Sequence, residues 1–238
     1  MKPQIPWLRV FVEGVVIVGS ILLAFGLQAW WEGRQERDAE QDVLDVLRSE
    51  LASADQALQV QLDIYVYLER ATEDVADRLE AAGGGSVMVP DTLLAALVFD
   101  MSYDPPTGMT NLLLASGQLD LLRNLDLRTA LAEWPSAIED GVEEQTSLWR
   151  LGDQQLEPLL HNAVPSLGRA YSILSVWEKE RGLVSGLGHG DLAVTASASL
   201  WNVLYQRLSM IRSARTDLEG VTQAHLRKLV TLVGEAPE

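Results

Sequence analysis

The chain has 238 residues, 47% of them apolar and 22% charged. That composition excludes a disordered tail and a collagen-like fibre. Acidic residues outnumber basic ones 34 to 18, a formal charge of −16. So acidic a chain is a poor nucleic-acid binder, because phosphate neutralisation needs clustered Lys and Arg. With no cysteine, disulfides, zinc ribbons, iron–sulfur ligation and thiol catalysis are excluded together.

The first element is a membrane span. Val15 to Leu27 carries no charge, and Leu8 to Trp31 is interrupted only by Arg9, Glu13 and Gln28. As a helix this stretch is about 36 Å long, enough for a hydrocarbon core of roughly 30 Å. Trp7 on one side and Trp30 and Trp31 on the other are spaced as two interfacial belts. A cleaved signal peptide fits less well, because the best cut, after Leu27-Gln28-Ala29, lacks a small residue at −3. Lys and Arg flank the span almost equally. The terminal amine beside Lys2 and Arg9 tips the expected topology toward a cytoplasmic N-terminus and an external main domain. That domain would be periplasmic if the membrane is a bacterial inner membrane. Glu13 is ionisable within the span. It either snorkels and pairs with Arg9 one turn away, or meets a partner helix. Ser20 and Ala24, with Gly19 nearby, form a small-residue pattern that permits close helix contact.

Residues 32–82 read as one long helix leaving the membrane. Leu44, Leu47, Leu51, Ala54, Leu58, Leu62, Tyr65, Leu68, Val75 and Leu79 recur at steps of three, four or seven. This stripe packs either in a bundle within the chain or against another copy; later segments with matching faces favour the bundle. Gly83-Gly84-Gly85-Ser86 ends the helix. Pro90-Asp91-Thr92 starts another, over Leu93 to Phe99. Residues 100–108 are a turn-rich loop. Thr110 is the expected cap of a short helix, 111–116, stopped by Gly117. Asn124 or Asp126 caps the next, with Leu127, Ala130, Leu131 and Trp134 on one side. Pro135 should interrupt or restart it. Residues 136–163 are mostly helical, with Pro158 a potential kink. Further helices are expected over 166–181 and 196–233, separated by a Gly-rich loop, 182–190. No strand pattern stands out.

The expected fold is therefore all-α, with an anchor over 1–31 and a helical domain over 32–238. Only Lys2, Arg9 and Glu13 precede residue 32. Sixteen basic and 33 acidic residues follow, a formal −17. That domain should project from anionic lipid rather than lie on it.

Two stretches resemble an uncharacterised bacterial family of single-pass membrane proteins. The first is VEGVVIVGSILLAFGLQAWWEGRQER, in which Gln28, Trp31, Glu32 and Arg34 fit the family pattern, while Glu13-Gly14 reverses its usual Gly-Glu order. The second is LLLASGQLDLLRNLDLRTAL, where Ser116, Gly117, Leu119, Leu121, Asn124, Leu127, Arg128 and Leu131 correspond. The resemblance implies a membrane-anchored helical protein and assigns no catalytic residue. Capping and core seating explain the second motif without it, and a contact role for Asn124 and Arg128 is the alternative.

No chemistry-bearing constellation emerges. His161, His189 and His225 lack metal-ligand spacing, and His225 reads as a satisfied core residue. Gly186 to Asp191 is neither a P-loop nor a Rossmann turn. Asp100 and Asp104 lack the calcium-loop pattern, and Ser116 has no nearby base. Trp134, Trp149, Trp177 and Trp201 read as core or interface anchors. No cofactor and no metal are expected. The reading is a non-enzymatic accessory, scaffolding or assembly subunit of a membrane complex, or a homo-oligomer. Its partners are the bilayer and a protein, not nucleic acid. Glu13, Gly19, Ser20 and Ala24 are the expected membrane contacts. The alternatives are a membrane-anchored sensor and, more remotely, an enzyme.

Overall fold

The computed structural model describes residues 7–173 and 190–235; the expectations for Trp177, His189 and the far end of the 166–181 helix lie outside them. Anchor and long helix are one element: α1 runs Trp7–Ala81, 75 residues, about 110 Å at 1.5 Å per residue. No proline interrupts it. Gly33 follows one i,i+4 tie and is spanned by another: Gln28 Nε2 donates to Glu32 Oε1 at 2.9 Å, and the Arg34 guanidinium lies 5.9 Å from the Trp30 ring centre.

After the glycine turn comes β1, Ser86–Pro90, then α2, Asp91–Val98, and α3, Gly108–Ser116. Gly117 takes φ +70° and its N–H returns to the end of α3, as a left-handed cap requires. A 3₁₀ turn, Gln118–Leu121, leads to α4, Leu125–Leu151. A π turn, Gly152–Leu156, joins α4 to α5, Glu157–Ala163. Residues 168–173 are helical again. The chain then forms β2, Asp191–Thr195, and α6, Ala198–Asp217. A second π turn, Leu218–Thr222, leads to α7, Gln223–Gly234. Among the described residues the fold is all-α but for one two-stranded sheet.

The helices form a bundle within the chain. α1 packs against α2, α6 and α7, and α4 against α6 and α7. Each of the ten stripe residues from Leu44 to Leu79 is buried. Burial of apolar area at roughly 25 cal/mol per Å² holds the bundle together. Ion pairs from Glu69 and Glu73 on α1 to Arg212, and from Glu69 to Arg215, tie α1 to α6 on the outside. Glu69 is mostly shielded and bridges both arginines, so the four side chains form one linked network rather than isolated surface pairs.

Three expectations need correction. First, two strands exist. β1 and β2 pair antiparallel, Ser86 opposite Thr195 and Pro90 opposite Asp191, with Leu192 and Val194 facing the core. Their ladder partners lie a hundred residues apart, so neither five-residue run signals a strand alone. Second, Thr110 does not cap α3, which begins at Gly108. The Glu50 carboxylate on α1 does that work: it accepts from Met109 N at 2.6 Å, Thr110 N at 3.1 Å and Thr110 Oγ1 at 2.7 Å. An anion at a helix N-terminus meets both the orphan donors and the dipole. Third, Pro135 lies inside α4, which continues through it. A mid-helix proline costs about 3 kcal/mol. Burial of Ala130, Leu131, Trp134 and Ala137 around it offsets that. Trp149, expected as a core or interface anchor, is 52% exposed and lies outside the core.

The loop between α2 and α3 is held by buried polar side chains. Gln61 Nε2 donates to Met101 O at 2.7 Å. Tyr103 N donates to Gln145 Oε1 at 2.8 Å, and Tyr103 Oη to Ala54 O at 3.3 Å. These satisfy backbone groups that a buried loop would otherwise leave unpaired.

Candidate functional site

The N-terminal third of α1 is one candidate. Among the described residues, α1 alone is long and apolar enough to cross a membrane, and its apolar window is wholly uncovered by the rest of the chain. From Phe11 to Trp31 the described large apolar side chains are 49–75% exposed. They occupy every face of the helix, which is the pattern of a span rather than of an amphipathic surface helix. Trp30 and Trp31 sit at its end with ring centres 6.5 Å apart. Trp7 opens the helix, its side chain lying outside the described part. Glu40 on α1 pairs with Arg123 at 3.3 Å, nine residues past Trp31. The domain thus begins about 14 Å beyond the aromatic belt.

At about 100° per residue, Glu13, Ser20, Ala24 and Trp31 fall within roughly 20° of one line along α1. Gly19 lies about a third of a turn away, in line with Gly26 and Gly33, so the four expected contact residues do not share a face. No heavy atom comes within 4 Å of a Cβ placed at Gly19 or Gly26. The Ser20 hydroxyl donates to its own helix, to Val16 O at 2.7 Å.

Asn124 and Arg128 are occupied locally. Asn124 Oδ1 accepts from Asp126 N at 2.9 Å and Leu127 N at 3.1 Å, which is N-capping. Arg128 donates from Nε to Leu122 O, and from Nη2 to Asp120 O at 2.9 Å. Asn124→Ala is expected to lower stability by about 1 kcal/mol, and Asn124→Asp to be nearly neutral. Denaturant unfolding followed by circular dichroism checks this; equal stability for all three proteins would remove the capping role.

Among the described residues, no cluster of three or more His, Asp or Glu ligands occurs. His225 Nε2 donates to Ala130 O at 2.7 Å, and its ring stacks on Trp134 at 5.8 Å; it is the satisfied histidine its position suggests. His161 stacks on Tyr171, whose hydroxyl donates to Glu157.

Sequence reasoning missed one feature. A pocket of about 90 Å³ opens where the π turn meets the end of α2. Gly152, Asp153 and Glu157 bound it on one side and Asp100 on another, with Trp149 as an aromatic wall. Arg207 of α6, 3% exposed, also lines it. Its Nη2 makes two long bonds, to Ala96 O at 3.4 Å and Phe99 O at 3.3 Å, at the end of α2. Its Nε is buried with no partner, as are the nearby Gln61 Oε1 and Tyr65 Oη. Burial pushes the guanidinium down to about 10, opposed by the charges of Asp100 and Tyr65. Because the folded value lies below the unfolded one, this burial costs stability throughout the neutral range and is relieved only as the pH climbs through about 10. Asp100 keeps an exposed edge, yet crowding by protein raises its carboxyl; the Arg207 charge and the Met101 backbone amide oppose that rise. The signal was present: Arg207 stands three residues after Leu204 and four before Ile211, a charge within an apolar stripe.

No family model, curated protein or solved structure matches the chain.

Proposed function

We propose that the chain is a non-enzymatic single-pass membrane protein, an accessory, scaffolding or assembly subunit of a larger membrane complex or a homo-oligomer. The observation that carries this reading is the unbroken α1: its first third is apolar on every face and uncovered, and its remainder is the central helix of the bundle. Any movement of the span relative to a neighbour is transmitted to the domain without a hinge. The membrane is a bacterial inner membrane in this reading, with the N-terminus in the cytoplasm and the acidic domain in the periplasm. The Glu13–Ser20–Ala24 line is the contact face. An ionisable group and small residues on one line favour a helix partner over lipid alone.

Extraction in mild detergent, size determination and mass spectrometry test it. A stoichiometric membrane partner, or more than one copy per particle, is the expected result; a lone monomer at every detergent concentration overturns it. Ser20→Leu and Glu13→Leu are expected to weaken association about threefold to tenfold, the worth of one polar or close interhelical contact, with the domain still folded. Undiminished co-purification of both variants would remove this face from the interface.

The Arg207 pocket favours one second reading, a membrane-anchored ligand sensor in which α1 carries the signal.

A further inference from the structure

The Arg207 pocket has a chemistry independent of the scaffold reading. A single water needs about 10–15 Å³ of comparable volume. The 90 Å³ here therefore holds about six heavy atoms. A fully buried cation ordinarily has a carboxylate in contact, because its desolvation is otherwise uncompensated. Among the described residues Arg207 has none within salt-bridge distance; its Nη2 reaches only backbone carbonyls, at 3.3 and 3.4 Å, and its Nε reaches nothing. Its Nη1 lies 3.8 Å from where a Cβ would stand on Gly152, a residue that lines the pocket. Nη1 thus stands at the pocket wall, where a carboxylate oxygen can accept a charge-assisted hydrogen bond from it. Asp100, Asp153 and Glu157 also line the pocket. Glu157 is engaged by the Tyr171 hydroxyl, which leaves Asp100 and Asp153 for a second charged group. Three carboxylates repel a simple anion, and the buried arginine repels a simple cation. A molecule with both charges a few ångströms apart satisfies both sets. π turns inside helices are frequent at functional sites, and this one supplies both Gly152 and Asp153.

We propose that this pocket binds a small zwitterion the size of glycine or alanine, its carboxylate on Arg207 and its ammonium between Asp100 and Asp153.

The test uses the full chain in detergent micelles, titrated calorimetrically with L-alanine, glycine, acetate and methylammonium. Alanine or glycine is expected to bind saturably with Kd of about 1 mM or tighter, and to raise Tm. Acetate and methylammonium should each bind at least about tenfold more weakly. Asp153→Asn, an exposed position whose change leaves the fold intact by circular dichroism, should weaken alanine about tenfold and leave acetate no weaker. Arg207→Met should abolish all carboxylate binding while the variant remains folded, since an apolar side chain of similar volume replaces a buried charge without leaving one uncompensated. Four results overturn the proposal. They are no saturable heat for any probe on folded wild-type protein, acetate as tight as alanine, methylammonium as tight as alanine, or alanine affinity unchanged in Asp153→Asn.

Discussion

Trp134→Ala is expected to destabilise the domain by about 3–5 kcal/mol, the range for deleting a large buried aromatic. Trp134 is wholly buried on α4, flanked by Ala130, Leu131 and Ala137, and stacks on His225 of α7 with the rings 11° from parallel. The indole Nε1 is buried with no acceptor, so truncation breaks no hydrogen bond. The loss is packing and cavity alone. Trp134→Phe should therefore cost much less, about 1–2 kcal/mol, because it keeps most of the volume and removes an unsatisfied donor. Urea unfolding of the full chain in mild detergent, followed by far-ultraviolet circular dichroism, measures both. A loss under about 1 kcal/mol for Trp134→Ala would mean that the indole does not organise the seam between α4 and α7.

Gly141→Ala is expected to lower stability by about 1–3 kcal/mol. On helix propensity alone the same change should gain up to about 1 kcal/mol. The sign reverses because of one close approach: a Cβ on Gly141 would stand 2.3 Å from Thr222 Oγ1 and 3.0 Å from Leu218 Cδ2. Both belong to the second π turn, which puts Thr222 against α4, where its hydroxyl donates to Ala137 O at 3.0 Å. The clash is with a buried, hydrogen-bonded group, so the neighbour cannot swing away. Thr222→Ala alone should cost about 1 kcal/mol for the lost bond. The double variant Gly141→Ala, Thr222→Ala should be more stable than the sum of the two losses predicts, by about 1 kcal/mol or more. A Gly141→Ala protein more stable than wild type would disprove the close approach.

The local features are legible in the sequence. The apolar run, its tryptophans and the stripe from Leu44 to Leu79 depend on composition and on the 3.6-residue period, both properties of contiguous chain. Gly117 and Asn124 cap their helices because capping joins residues two or three apart. The 166–181 helix begins at residue 168 in the structure, a shift within the usual fraying of helix ends. Pro135 misleads, because a local rule meets a buried face strong enough to override it.

The all-α class, the apolar run, the acidic remainder and the caps at Gly117 and Asn124 can be read along the chain, because each arises between neighbours. The other features exist only once the helices pack. The strand pair joins Ser86 to Thr195, Glu50 caps α3 from 59 residues away, and Gly141 is a point of contact only because a π turn faces it. Arg207 in its stripe was a visible anomaly. Its role as a pocket wall depends on Gly152, Asp153 and Asp100 converging from two other segments. Such pairings are set by which faces minimise exposed apolar area once the helices pack, and no window of neighbouring residues holds that information.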